Sequence, residues 1–213
     1  MHAQLLGHNG CVNIVSLRRP PIDLVALESE HVSFKGPLST KGVAGVDDDG
    51  PHGFNTDAAS VTVGHGAESF ARAQLALADW AMFSMPWIEL TPREPRVELG
   101  RIVVVTVRIL GLVTVVNANR ITRLVDHVDE HRHRWGFVYA TLHHHAQRGE
   151  EIFLVTHHLA DDRIEYALLA HSRPEHWLAW IAYPLTRWYQ RRFRRQSCTA
   201  MRRAITPEPH DAP

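Results

Sequence analysis

Between Val97 and His171 the chain carries six consecutive short strand-like segments, and this run limits its possible folds more than any other feature. The segments are Val97 to Leu110, Leu112 to Asn117, Arg120 to Val128, Arg134 to Leu142, Glu151 to Leu159 and Arg163 to His171. They are rich in Val, Ile, Thr and aromatic residues, which suit a pleated, half-buried surface. Gly111, Asn117-Ala118-Asn119 and Asp161-Asp162 separate neighbours with turn chemistry. Links that short join antiparallel strands and leave no room for the crossovers of a parallel sheet. An antiparallel meander is expected.

After Pro174 the period lengthens. Trp177 to Ala204 reads as a helix, with a break expected at Pro184. Leu185, Trp188, Tyr189, Phe193, Ala200 and Met201 form its apolar face, and arginines crowd the other. A sheet with one apolar face must be covered, and this helix is the natural cover. The expected fold is α+β: a curved antiparallel sheet packed on a long C-terminal helix, the helix-grip architecture, which often holds a cavity between its layers.

Upstream, Phe70, Ala73, Leu77, Trp80 and Ala81 recur at helical spacing, predicting a helix over Glu68 to Phe83 that Pro86 ends. Ile22 to His31 is expected as a short helix, and Ser33 to Gly66 as irregular chain with one strand at Ala59 to Val63. One domain over 17–204 is expected, with a peripheral N-terminus at 1–16 and a disordered tail at 205–213.

Composition narrows the function classes. Lys+Arg and Asp+Glu are both 23, so net charge gives no pull toward nucleic acid. Two widely separated cysteines, Cys11 and Cys198, make no disulfide framework, and a reduced cytoplasmic setting is expected. The most apolar stretch, Arg101 to Val116, is too short to span a bilayer and contains Arg108. No transmembrane segment is expected, and the chain reads as soluble. No phosphate loop, dinucleotide glycine motif or Gly-x-Ser-x-Gly elbow is present. Cys198 has no evident base beside it and reads as an inert thiol.

The segment GFVYATLHHHAQRGEE, Gly136 to Glu151, concentrates the reactive side chains. On a strand His143 and His145 share a side and His144 points away, so the triplet offers two metal ligands where zinc needs three or four. Glu150 or Glu151 could return a third. His131 and His133 also share a side, and His127 could join them. Against this, 16 histidines make neighbouring pairs common by chance. Solvated loop histidines are the favoured reading, and no metal or cofactor is expected.

Tyr139, His145, Glu150 and Glu151 are the candidates for acid–base chemistry, which needs a tuned group within reach of substrate. A solvated hairpin base paired with Arg148 or Arg163 is the plainer reading of the two glutamates.

Trp135, Phe137, Tyr139 and Thr141 alternate with Gly136, Val138, Ala140 and Leu142, giving one aromatic face and one of small or aliphatic residues. The aromatic face can pack the core, wall a ligand cavity, or do both. Ser172 and Arg173 could supply polar contacts at the mouth of such a cavity. Arg187, Arg191, Arg192, Arg194, Arg195, Arg202 and Arg203 form either a solvated helix face or a surface for an anionic partner or membrane.

Several of these residues also form an ordered set of motifs. Gly136, Phe137, Tyr139, Thr141, Leu142 and His145, then Gly149-Glu150-Glu151, then Ser172-Arg173-Pro174, resemble an uncharacterised bacterial and plant family, the domain of unknown function numbered nineteen-ninety. Gly64, Gly66, Phe70, Ala73 and Trp80 match its upstream helix segment. The resemblance spans roughly 17–204. Ala140 stands where the family has glycine, and His143-His144 where it has Pro-Gly, so two of the three histidines are particular to this chain. The resemblance implies homology and no established reaction.

The expected role is binding a small apolar or amphipathic ligand between the sheet and the C-terminal helix, favoured over catalysis. The alternatives are a small-molecule enzyme using Tyr139, His145, Glu150 and Glu151, and an interaction protein using the arginine face. The ligand, pathway and oligomeric state are not legible.

Overall fold

The computed structural model describes residues 15–17, 20–33, 52–142, 147–174 and 183–206. The strands are β1 (Val15–Ser16), β2 (Asn55–His65), β3 (Ile88–Thr91), β4 (Ile102–Ile109), β5 (Val113–Val128), β6 (Arg132–Thr141), β7 (Gln147–His158) and β8 (Arg163–Pro174). The helices are α1 (Leu24–Glu28), α2 (Gly66–Ala78) and α3 (Tyr183–Ile205), with a 3-10 turn at Ala81–Phe83.

The sheet is antiparallel throughout, in the order β2-β8-β7-β6-β5-β4-β3, and β1 pairs with the start of β5. Strands β4 to β8 are the expected meander; β3 extends one edge by pairing with β4, and β2 joins the other by pairing with β8. The sheet curls around α2, the 3-10 turn and α3, so the α+β helix-grip arrangement is realised. The main core lies inside that curl. Phe70, Leu77, Trp80, Met82 and Phe83 meet Ile121, Phe137, Phe153, Tyr166 and Leu168 from the sheet and Met201 and Ile205 from α3.

Several boundaries differ from expectation, each for a physical reason. Asn117-Ala118-Asn119 does not divide two strands; β5 runs unbroken for 16 residues. Asn119 is buried there because its Nδ2 donates to the carbonyl of Asn117 at 3.1 Å and lies 3.5 Å from that of Val103. The interruption comes instead at Thr122, where the β5–β6 register shifts between Ile121 and Arg123. A bulge of this kind bends a long strand.

The first meander segment starts at Ile102 rather than Val97, because Gly100 adopts φ 83° just before it. Strand β3, hidden between Pro86 and Pro92, was not expected. Helix α2 stops at Ala78, earlier than Pro86, because Trp80 takes the left-handed conformation at φ 57°. That turn buries the indole, whose Nε1 donates to the Pro95 carbonyl at 2.7 Å.

Strand β2 is far longer than the expected Ala59 to Val63. Ile205, assigned to the tail, is the last residue of α3 and is buried in the core. Val15 and Ser16 are paired into the sheet. Leu185 and Trp188, expected on the buried face of the last helix, are exposed, whereas Tyr189 and Met201 are buried.

Candidate functional site

The concave face of the sheet is apolar along most of its depth and turns polar near the start of α3. Its period-two row on β6 is Trp135, Phe137, Tyr139 and Thr141, as the alternation predicted. Phe137 is fully buried, with its ring 4.8 Å from Trp80 and 5.5 Å from Phe153. Trp135 packs at the margin of the same core. At this level the aromatic face is filled by the protein's own side chains.

One layer on, the row becomes polar. Asp57 on β2, Ala170 on β8, Glu151 on β7 and Tyr139 on β6 stand in register across the sheet. The Tyr139 hydroxyl donates to Glu151 Oε2 at 2.7 Å. Burial raises the Glu151 carboxyl from 4.5 to about 7, opposed by the Tyr139 hydrogen bond, reinforced by the Asp57 charge and opposed again by Arg194. Tyr139 itself is pushed well above 10.0, chiefly by burial and then by the Glu151 charge.

Helix α3 answers this row with two arginines. Arg187 grips Asp57 with both terminal nitrogens, one of them at 2.8 Å from Oδ1, and Arg194 Nη1 reaches Oδ1 at 2.5 Å. The two arginines are seven residues apart, so two helical turns place them on one face. Arg187 also donates to Gln190 Oε1 at 2.9 Å, and Gln190 Nε2 lies 3.4 Å from Ser172 Oγ. Asn55 Nδ2 donates to the Ser172 carbonyl at 3.3 Å. The polar groups thus form one connected patch between the sheet and the first half of α3.

The other expected site residues separate. Glu150 is buried on the opposite face of β7, in register with His171, so it does not join Glu151. Nor is either glutamate a solvated hairpin base. Arg173 lies on the opposite face of β8 from Ser172, with its guanidinium 5.0 Å from the Phe54 ring centre. Thr141 is a structural tie: its Oγ1 accepts from the Gly149 amide at 3.1 Å, and its carbonyl accepts from the Ser33 amide at 2.7 Å. His145, with His143 and His144, lies outside the described residues.

Among the described residues no three His, Cys, Asp or Glu side chains gather as a metal-holding group. His133 instead pairs with Asp126 at 2.9 Å, and His157 with Asp162 at 2.5 Å.

Asp57 was not singled out in the sequence, and Arg187 and Arg194 were read only as part of the arginine-rich helix face, although two signals mark them. Asp57, Ala59, Val61 and Val63 share one strand face, which puts a carboxylate in line with the core. Arg187, Gln190, Arg194, Ser197 and Met201 lie on one helical stripe that ends in two fully buried residues. The arginines are therefore not one solvated face.

Open cavities flank the core among the described residues. One, of about 380 Å³, is lined by Trp80, Phe83, Ile88 and Leu90 among others; another, of about 650 Å³, lies between α1 and the chain leading into β4. Neither is lined by Tyr139 or Glu151.

Fold and site together define a helix-grip protein with a charged patch inside its curl. The chain belongs to the family described as Domain of unknown function (DUF1990), which it matches over residues 39–200. It is 29% identical over 159 residues to a UPF0548 protein of Dictyostelium discoideum, covering 71% of this chain and 73% of that one. It is 30% identical over 155 residues to the UPF0548 protein At2g17695 of Arabidopsis thaliana, covering 70% and 72%.

Among solved structures it is similar to protein CV1439 from Chromobacterium violaceum, at 18% identity and TM-score 0.43 over 72% of this chain and 99% of that one. It is also similar to norcoclaurine synthase from Thalictrum flavum, solved with dopamine and hydroxybenzaldehyde, at 11% identity and TM-score 0.39 over 72% and 88%. The fold assignment rests on the strand order and helix placement described above. Among the described residues no helix is long and apolar enough to cross a membrane.

Proposed function

We propose that this protein binds a small amphipathic molecule between the concave sheet and α3, with the ligand's polar end at the Tyr139–Glu151–Asp57–Arg187–Arg194 patch. The observation that carries the reading is the Tyr139–Glu151 pair: a carboxyl titrating near neutrality, hydrogen-bonded to a buried phenol inside an apolar curl. Burying such groups costs stability that apolar residues would not, and strongly perturbed groups concentrate at functional sites.

The charge balance favours an anionic polar end. Arg187 and Arg194 both converge on Asp57, which gathers positive charge at this end of the curl. A carboxylate on the ligand would neutralise it, while Ser172, Gln190 and the Tyr139 hydroxyl supply directional hydrogen bonds. Native against denaturing mass spectrometry of freshly purified protein tests the reading. A retained amphipathic acid lost on denaturation supports it. Loss of the same adduct in a Phe137 or Glu151 variant that still folds places it in the curl. A protein that neither retains nor takes up any such molecule contradicts it.

The second reading is proton transfer on a small molecule, and Glu151 titrating at about 7 favours it specifically. In that case Glu151 exchanges the proton and Tyr139 orients it, without Glu150, which lies on the other face of the sheet. A bell-shaped or single-step pH profile of turnover, abolished in Glu151→Gln, would distinguish it from binding alone.

A further inference from the structure

The outer surface of the first half of α3 is distinct from the patch it turns inward. Leu185, Trp188, Arg191, Arg192 and Arg195 recur at spacings of three and four, so they line one exposed stripe of the helix. Leu185 and Trp188 expose 39% and 48% of their surface. The β4–β5 hairpin tip stands against this stripe, because the Leu110 amide donates to the Tyr189 hydroxyl at 2.8 Å. Tyr189 in turn packs edge-on against Trp188, with ring centres 4.9 Å apart. The tip presents Leu110 and Leu112, exposed at 72% and 71%.

The hairpin tip and the helix stripe, joined through Tyr189, thus expose four large apolar side chains, and arginines share the stripe. Arg192 lies over the Trp87 and Trp188 rings, at 4.9 and 5.5 Å. Arg191 and Arg195 are exposed, and so are Arg202 and Arg203 two to three turns on; none of these four makes an ion pair with another described residue. Arg187 and Arg194, by contrast, are spent inside on Asp57.

We propose that this surface docks on an anionic lipid bilayer, with Trp188, Leu110, Leu112 and Leu185 entering the interfacial layer and Arg191 and Arg195 meeting the headgroups. The mix of chemistries selects this partner. Tryptophan and arginine beside exposed leucines match the boundary between headgroups and acyl chains. A nucleic acid would use the arginines and leave the leucines in water. Positive charge at the rim complements the negative surface potential of anionic lipids. The inference stands on this surface alone and does not depend on the proposed ligand.

The test is co-sedimentation of the full chain with phosphatidylcholine vesicles, with and without phosphatidylserine. Binding should require phosphatidylserine and weaken as salt rises from about 0.1 to about 1 M, where screening shortens from about 10 to about 3 Å. Arg191→Gln with Arg195→Gln should lower partitioning roughly 30-fold, since each arginine near the surface contributes about fivefold. Leu112→Ser with Trp188→Ser should also lower it, while leaving binding to soluble polyaspartate unchanged. All four positions are exposed, so folding, checked by circular dichroism, should survive. Absence of binding to phosphatidylserine vesicles would overturn the proposal. So would binding that the Leu112 and Trp188 changes leave intact, which would mark a purely electrostatic surface for an acidic protein.

Discussion

Replacing Glu151 with glutamine should stabilise the protein above neutral pH and do little below pH 5. The carboxyl rises from 4.5 to about 7 on folding. Below its unfolded value it is protonated in both states and contributes no difference. Between 4.5 and about 7 the unfolded chain loses the proton while the folded chain keeps it, so stability falls as pH rises. Above 7 the penalty is complete and constant, with an upper limit of about 3 kcal/mol. Glu151 keeps partial contact with solvent, so about 1–2 kcal/mol is the realistic size.

Glutamine retains an acceptor for the Tyr139 hydroxyl and cannot ionise. At pH 8 the variant should therefore melt about 3–6 °C above the parent, and at pH 4.5 the two should coincide. Thermal unfolding followed by far-UV circular dichroism at both pH values measures this directly. A variant less stable at pH 8, or a difference independent of pH, would refute the assignment of Glu151 as a buried, proton-holding carboxyl.

Other expectations follow from the same packing. Asp57→Asn removes the carboxylate that Arg187 and Arg194 share, and should cost about 3 kcal/mol in urea unfolding. Gly136→Ala should abolish stable folding, because an added Cβ would lie 2.0 Å from the Phe153 carbonyl oxygen; soluble yield and thermal melting report it. Ser197→Ala removes the partner of the buried Tyr166 hydroxyl, now 2.7 Å from Ser197 Oγ, and should cost about 1–2 kcal/mol. Adding Tyr166→Phe to that variant should recover part of the loss, since no hydroxyl then remains buried without a partner.

Periodicity made the meander and the covering helix readable, since both are long and strongly patterned. What it could not resolve were interruptions satisfied by tertiary contacts. Asn119 reads as turn chemistry until Val103 and Asn117 carbonyls are placed beside its amide. Trp80 reads as one more core position of α2, and the left-handed backbone that ends the helix there has no local sequence marker.

Half of the candidate patch was legible. Tyr139 and Glu151 were identified from alternation and chemistry, but Glu150 and Glu151 could not be told apart until the register set their faces. The partners on β2 and α3 were missed because an arginine-rich helix reads as solvated. Only the buried Ser197 and Met201 on the same stripe as Arg187 and Arg194 show which arginines turn inward.

The most direct test of ligand binding between sheet and helix is an amide chemical-shift titration of labelled protein with a medium-chain fatty acid and, separately, the matching fatty amine. The acid should shift Tyr139, Glu151, Ala170 and Ser172 together with residues 187–194, and the amine should bind far more weakly. Shifts confined to the convex face or the hairpin tip, or none with either probe, would contradict the account.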